Sequence, residues 1–184
     1  MNNRIGTKLS FRAVSYEWWV LAASLLLNTL SAGVYFIGFT VFFLPISREF
    51  QVSRVATSLP FTLARFISMF TSPLTGIAID RYGSYKILLI GGILASLGFM
   101  MLHWSTNYLY FLLVFVLVIT IGVQNGFDPP SAAMISKWFV KKRGMAFAIS
   151  SSGFAVGGAL VTPLVALSVQ SFGWRTTALV IGIL

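Results

Sequence analysis

The sequence predicts an all-α integral membrane protein, and three observations lead to that prediction. Of its 184 residues, 57% are hydrophobic and only 9% are charged, whereas a soluble domain carries about 25% charged residues. Long apolar stretches recur along the chain, and the charged residues gather in short clusters between them. One crossing needs about 20 apolar residues, so the chain has room for about five or six transmembrane helices.

The apolar stretches predict six helices, at residues 18–44, 55–79, 85–102, 108–136, 145–169 and 176–184. The first is expected to end before Pro45, because proline removes a backbone donor from a helix. The fourth contains Pro129 and Pro130, which predict a kink or local unwinding. The sixth predicted helix has only about nine residues, which form about 13 Å of helix, less than half of the hydrocarbon core. It is therefore expected to be incomplete, as in a truncated chain.

The orientation is predicted from lysine and arginine, which are enriched in cytoplasmic loops. With segment 1–17 in the cytoplasm, the outer loops carry only Arg48, Arg54 and Arg175. The inner segments then carry the other clustered basic residues, which are Arg4, Lys8, Arg12, Arg81, Lys86, Lys137, Lys141, Lys142 and Arg143. We therefore expect a multi-pass protein of a plasma membrane or bacterial inner membrane, with the lipid bilayer as its solvent.

Composition argues against several other classes of function. The 13 Lys+Arg exceed the 4 Asp+Glu, but the basic residues sit at helix ends rather than on one soluble face, so no nucleic-acid partner is expected. Cysteine is absent and His103 is the single histidine, so no metal site is expected. Catalytic residues, cofactors and an enzyme activity are likewise not expected, since no Ser/His/Asp set or carboxylate pair is present. The lack of a phosphate-binding loop motif argues against ATP-driven transport.

The turn between the second and third predicted helices carries a motif, GIAIDRYGSYK, from Gly76 to Lys86. Gly76 would let a neighbouring helix approach closely, and Gly83 would permit a tight reversal of the chain. Asp80 can accept hydrogen bonds from cationic partners or helix amides, while Arg81 and Lys86 can stay at the level of the lipid headgroups.

A second motif, SKWFVKKRGMA at residues 136–146, follows the fourth predicted helix. Together the two motifs resemble those of the major facilitator superfamily, in particular its monocarboxylate-porter branch and the oxalate/formate-antiporter-like bacterial relatives. Segments 47–54 and 173–175 resemble the same branch. The resemblance implies the N-terminal six-helix bundle of that fold, with helix 6 incomplete, which pairs with a second half and works by alternating access. It also implies gating or coupling roles for Gly76, Asp80, Arg81, Gly83, Lys86 and Arg143.

Polar side chains within a membrane are costly and often functional, and Arg65 is the most prominent of them. Counting along the second helix places it about 15 Å deep, on a face with Ser58, Thr62, Ser72 and Gly76. Its planar guanidinium suits a carboxylate, which makes Arg65 a candidate for binding an anionic solute. The alternatives are a structural ion pair and a contact with backbone carbonyls.

Two further helix faces carry polar residues. Asn28, Ser31 and Tyr35 share a face of the first helix, and Thr120 and Gln124 share a face of the fourth. Four of them, Asn28, Tyr35, Thr120 and Gln124, are candidates for binding the solute. For the residues on the first helix, the alternative is that they form hydrogen bonds between helices.

Asp128 continues the polar face of the fourth helix and is a candidate for gating or for proton coupling. The alternatives for its carboxylate are solvation at the interface, a contact with Lys137 or Arg143, and a bond to backbone amides freed by the prolines. On the fifth helix, Gly153 and Gly157 have the spacing of a close helix contact, with gating as the alternative.

These features predict a secondary active transporter of a small organic solute, with a mono- or dicarboxylate anion favoured. The expected partners are that solute, a coupling proton or counter-anion, and the missing C-terminal six-helix half. Two alternatives stay open: a carrier of sugars or drugs, and a truncated, non-transporting membrane protein that is structural, regulatory or an inactive half-carrier.

Overall fold

The computed structural model describes the backbone of residues 10–183, with the side chains of residues 17–53 and 55–183. Within that range every regular element is a helix, and five helices are long and apolar enough to cross a membrane. The predicted all-α membrane fold is confirmed. Residues 1–9 of the expected cytoplasmic segment 1–17 lie outside the described residues, and the first helix begins at Ser10.

Six helical units follow one another in the described part of the chain, and three of them contain wider, π-helical turns. Their bounds are α1, Ser10–Leu30, Ser31–Phe36 (π) and Phe39–Glu49; α2, Arg54–Tyr82; α3, Ser84–His103; α4, Tyr108–Leu113, Val114–Ile119 (π), Ile121–Asn125 (π) and Asp128–Trp138; α5, Arg143–Val156, Gly157–Val161 (π) and Thr162–Phe172; and α6, Trp174–Ile183. The α1–α2, α3–α4 and α5–α6 turns lie at one end of the bundle, which we call the Glu49 end. The other turns lie at the opposite end, which we call the Asp80 end.

The two proline predictions have different outcomes. The prediction that the first helix ends before Pro45 is wrong, since α1 continues through it to Glu49. Burial of Phe42 and Ile46 on either side keeps this segment helical despite the lost hydrogen bond. The interruption expected in α4 is present, but it lies just before the prolines, which occupy the first turn of Asp128–Trp138. The N–H groups in the first turn of a helix have no partner within the helix, so prolines there cost no helical hydrogen bond.

An aromatic cluster at the contact of α1, α2 and α4 forms the main core. The Phe39 and Phe115 ring centroids are 4.2 Å apart, and Tyr35 stacks on Phe115 at 5.5 Å. Phe61 of α2 packs on both Phe39 and Phe115. The cluster holds together the helices that carry the candidate site.

Glycines allow two pairs of helices to approach closely. A Cβ atom on Gly153 would lie 2.5 Å from the Leu25 carbonyl oxygen, and one on Gly157 would overlap the backbone of α1. The predicted close contact of α5 is therefore confirmed. A second contact was not predicted: a Cβ on Gly122 of α4 would lie 2.5 Å from the backbone nitrogen of Ala95 on α3.

Candidate functional site

Arg65 lies on α2 with its side chain exposed. Its guanidinium carbon is 5.9 Å from the centroid of the Phe36 ring on α1, a distance typical of a cation–π contact. Phe36 packs in turn on Phe154 of α5, with ring centroids 5.3 Å apart. Arg65 therefore borders a face to which α1, α2 and α5 all contribute. Among the described residues it forms no ion pair, so the structural ion pair considered above is not found there.

Tyr35 and Thr120 are brought into direct contact between α1 and α4. The Thr120 hydroxyl donates to the Phe115 carbonyl over 2.9 Å, so it accepts from the Tyr35 hydroxyl, 3.1 Å away. Both side chains are buried, at 1% and 0% exposure. In this conformation they join two helices, which is the alternative foreseen for Tyr35.

Gln124 lies at the edge of the same contact and is half-buried. Its Oε1 atom is 3.5 Å from the Tyr35 hydroxyl. Its side-chain nitrogen forms no hydrogen bond within the described part of the chain, so two N–H groups stay available to a ligand.

Asn28 joins α1 to α5. Its side-chain nitrogen donates to the Ser150 hydroxyl over 2.8 Å and to the Ser150 carbonyl over 3.1 Å. Asn28 and Asp128 also line one small cavity of about 140 Å³ between α1, α4 and α5. Asp128 makes no ion pair with Lys137, Arg143 or any other cation in the described residues.

The two glycines of the first motif have different environments. Gly83 ends α2 with φ of +88°, a conformation that only glycine adopts without strain, and its N–H donates to the Ile79 carbonyl over 2.8 Å. The tight reversal predicted there is confirmed. A Cβ on Gly76 would meet no atom within 4 Å. No neighbouring helix approaches Gly76 among the described residues, so the close approach expected there stays a prediction.

The charged residues of the two motifs lie exposed at the Asp80 end. Arg81 lies over the neighbouring Tyr82 ring at 5.5 Å, and the Arg143 guanidinium donates to the Ser136 carbonyl over 2.9 Å. Asp80 and Lys86 form no ion pair with any described residue. The structure thus gathers the charged gating candidates of the two motifs at one end, away from Arg65, whereas Asp128 lines the cavity with Asn28.

A buried amide that the sequence analysis did not single out ties α2 to α4. The Asn125 side-chain nitrogen donates to the Thr71 hydroxyl over 2.6 Å, and its oxygen accepts from Ser72 over 3.2 Å. Ser72 lies on the polar face predicted around Arg65, so a search for partners of that face would have pointed to Asn125.

A second unpredicted cluster joins three turns at the Glu49 end. Glu49 forms an ion pair with Arg175, with 2.7 Å between nitrogen and oxygen, and accepts a hydrogen bond from the Trp174 indole. Arg175 also donates to the Ser105 carbonyl over 2.6 Å. Glu49 and Arg175 both lie in segments on which the family resemblance was based, although their pairing was not anticipated.

A cavity of about 560 Å³ opens between α1, α3, α4, α5 and α6. Its walls are mostly apolar, with Leu30, Val34, Phe99, Phe127 and Leu164 among them. It contains no charged side chain and does not include Arg65, so it does not have the chemistry of an anion site.

Comparisons with known proteins agree with this architecture. A sequence profile of the Major Facilitator Superfamily matches residues 15–184. The chain is 34% identical over 172 residues to monocarboxylate transporter 6 of Homo sapiens, a match that covers 91% of this chain and 33% of the relative. It is 24% identical over 169 residues to human monocarboxylate transporter 12, covering 89% of this chain and 32% of the relative.

A third relative, monocarboxylate transporter 4 of Gallus gallus, is 28% identical over 143 residues, which cover 78% of this chain and 30% of the relative. The chain thus spans about a third of the length of the curated relatives it matches.

Proposed function

The chain belongs to the major facilitator superfamily, and on that premise we propose that it forms the N-terminal half of a secondary active transporter of a small organic anion. The favoured cargo is a mono- or dicarboxylate. The single observation that carries this proposal is the position of Arg65, an exposed cation on a membrane-spanning helix that has no ion-pair partner among the described residues.

An unpaired arginine at such a position needs a physical reason. A charge within a bilayer is costly, and such residues face a bundle interior or an aqueous path rather than lipid. The guanidinium offers two parallel N–H donors that match a carboxylate, and Phe36 beside it provides an apolar wall. Arg65 can therefore hold the carboxylate of a solute whose carbon chain rests on Phe36.

Gln124 is the second polar group that we assign to this site. Its free side-chain amide can donate to the solute, while its oxygen stays near the Tyr35 hydroxyl. Tyr35 and Thr120 then act indirectly, since their hydrogen bond keeps α1 and α4 in register beside Gln124. Asn28 plays a similar part between α1 and α5.

Transport by alternating access needs a second bundle on the other side of the solute. The weak burial of α2 supports such a partner, since large apolar side chains on it are exposed, including Phe66, Met69, Phe70, Leu74 and Ile77. In this proposal some of them contact lipid and others the second half, which would also meet Asp80, Lys86 and Arg143. We place the Asp80 end and the N-terminus in the cytoplasm, on the basis of the lysine and arginine distribution, in a plasma or bacterial inner membrane.

The proposal is tested by uptake of labelled mono- and dicarboxylates into proteoliposomes. The chain extended through a second six-helix half is compared with the 184-residue chain, and Arg65→Ala and Arg65→Lys are compared with Arg48→Ala as a matched control. We expect uptake by the extended protein. We also expect a rise of about tenfold to a hundredfold in KM for Arg65→Ala, since a hydrogen bond to a charged group contributes about 1.5–3 kcal/mol.

Arg65→Lys is expected to restore part of the affinity, because lysine keeps the charge but loses the two-pronged geometry. Carboxylate uptake with the same KM in the wild type and Arg65→Ala refutes the assigned role of Arg65. Transport of sugars or drugs without any carboxylate uptake refutes the cargo while retaining the transporter.

A further inference from the structure

The small cavity between α1, α4 and α5 is rich in oxygen atoms. Its polar lining consists of Asn28, Asp128, Ser131, Ser150 and Ser151. These residues come from three separate helices, so the cavity exists only in the folded bundle. Its volume of about 140 Å³ leaves room for one ion together with a few water molecules.

Several of these oxygens have no hydrogen-bond donor. Ser131 is only 4% exposed, and its Oγ atom is buried without any hydrogen-bond partner. Asn28 uses its nitrogen to donate to Ser150, which leaves its Oδ1 atom unbonded within the described residues. A buried polar atom without a partner is costly, and unbonded lone pairs and a carboxylate in one cavity indicate a ligand that is a cation.

The charges on the surrounding helices do not supply that cation. Lys137 lies on the same α4 segment as Asp128, Arg143 at the start of α5 and Arg65 on α2, and none forms an ion pair with Asp128 in the described part of the chain. Among the residues of α1 whose side chains are described, which begin at Glu17, the charged ones are Glu17, Arg48 and Glu49, and the last two lie at the Glu49 end. Among the described side chains, the Asp128 carboxylate therefore has no cationic partner.

The chemistry of the lining selects among cations. Carboxylate, amide and hydroxyl oxygens are hard ligands that suit Na⁺, Mg²⁺ or Ca²⁺ rather than transition metals. One carboxylate balances a single positive charge, whereas Ca²⁺ sites use several carboxylates and carbonyls. The interruption of α4 just before Asp128 is also the kind of broken helix at which transporters hold coupling ions. We propose that this cavity binds one Na⁺, with the Asp128 carboxylate, Asn28 Oδ1 and Ser131 Oγ as its protein ligands.

Binding of radioactive ²²Na⁺ to the purified 184-residue chain in lipid nanodiscs tests this proposal, with N-methylglucamine chloride holding the ionic strength constant. We expect saturable binding of one ion per chain. Asp128→Asn is expected to weaken binding by about tenfold or more, because it removes the negative charge and replaces one carboxylate oxygen by an NH₂ group. Ser131→Ala is expected to weaken binding by several-fold, because it removes a ligand oxygen. Glu17→Gln and Ser152→Ala are the matched controls. Ser152 is exposed and donates to the Ile149 carbonyl outside the cavity, so its loss is expected to leave binding unchanged.

A second measurement covers the case in which Asp128→Asn does not fold. The unfolding temperature of the wild type is expected to rise with NaCl more than with KCl, because a ligand that binds only the folded state stabilises it, and Ser131→Ala is expected to reduce that rise. Equal effects of Na⁺ and K⁺, or ²²Na⁺ binding unaffected by either cavity variant, overturn the proposal. Neither measurement includes a solute, so failure here leaves the carboxylate proposal intact, and the reverse also holds.

Discussion

Replacing Gly153 by alanine should loosen the contact of α5 with α1, and the structure allows the effect to be worked out. The new Cβ would lie 2.5 Å from the Leu25 carbonyl oxygen, whereas ordinary van der Waals contact begins near 3.4 Å. The obstructing atom is backbone, so the two helices must separate locally by nearly 1 Å. The 2.8 Å bond from Asn28 to Ser150 lies beside this contact, and that separation stretches it beyond hydrogen-bonding range.

The two effects add in the same direction. Overpacking in a tight contact costs about 1–3 kcal/mol, and the lost hydrogen bond costs about 0.5–1.5 kcal/mol more. Alanine also gains up to about 1 kcal/mol as the better helix former, so we expect Gly153→Ala to reduce the free energy of unfolding by about 1–4 kcal/mol. The assay is equilibrium unfolding of the purified chain in mixed micelles, followed by tryptophan fluorescence.

Gly76→Ala is the matched control, because it makes the same chemical change within a helix where no atom lies within 4 Å of the new methyl group. It should leave stability unchanged or raise it by up to about 1 kcal/mol, since alanine is the better helix former. Equal stability of the two variants would refute the close contact between α1 and α5.

Three further predictions follow from single side chains or turns. Gly83→Ala should lower the free energy of unfolding by about 1–3 kcal/mol in the same assay, because alanine is strained at a φ of +88°; unchanged stability would contradict that turn geometry. Tyr35→Phe should cost only about 0.6 kcal/mol, since the ring stacking on Phe115 remains, and a loss above about 2 kcal/mol would mean that its hydroxyl does more than bond to Thr120. Glu49→Gln should cost up to about 1 kcal/mol, and less at high salt, because the ion pair is partly exposed; a loss independent of salt would assign the effect to the Trp174 hydrogen bond.

The helical spans could be predicted from the sequence because lipid imposes one simple demand on every span, namely length and apolarity. The position of Gly83 could be predicted for a similar reason, since a reversal between two spans needs a conformation that few residues adopt. The helix through Pro45 could not be predicted from local propensity, because burial of Phe42 and Ile46 outweighs one lost hydrogen bond.

The partners of the polar residues were much harder to predict. A helical pattern indicates which residues share a face, but it does not indicate which other face they meet. Thus Tyr35 and Thr120 were both identified, but their mutual hydrogen bond was not. The contact at Gly122 could have been predicted from the sequence, because Gly122 and Gly126 have the same spacing as Gly153 and Gly157 on α5.

The wide turns of α4 change which neighbouring helix each later residue of α4 faces. An α-helix advances about 100° around its axis per residue, and each wide turn takes in one extra residue, which shifts the angular phase by about that amount. Thr120 and Asp128 belong to one stripe on a helical wheel, yet Thr120 is fully buried against α1 in the core, while Asp128 is half-buried and lines the cavity between α1, α4 and α5. A scan of mutations along α4 should therefore follow two separate periodic patterns, one on each side of residues 114–125.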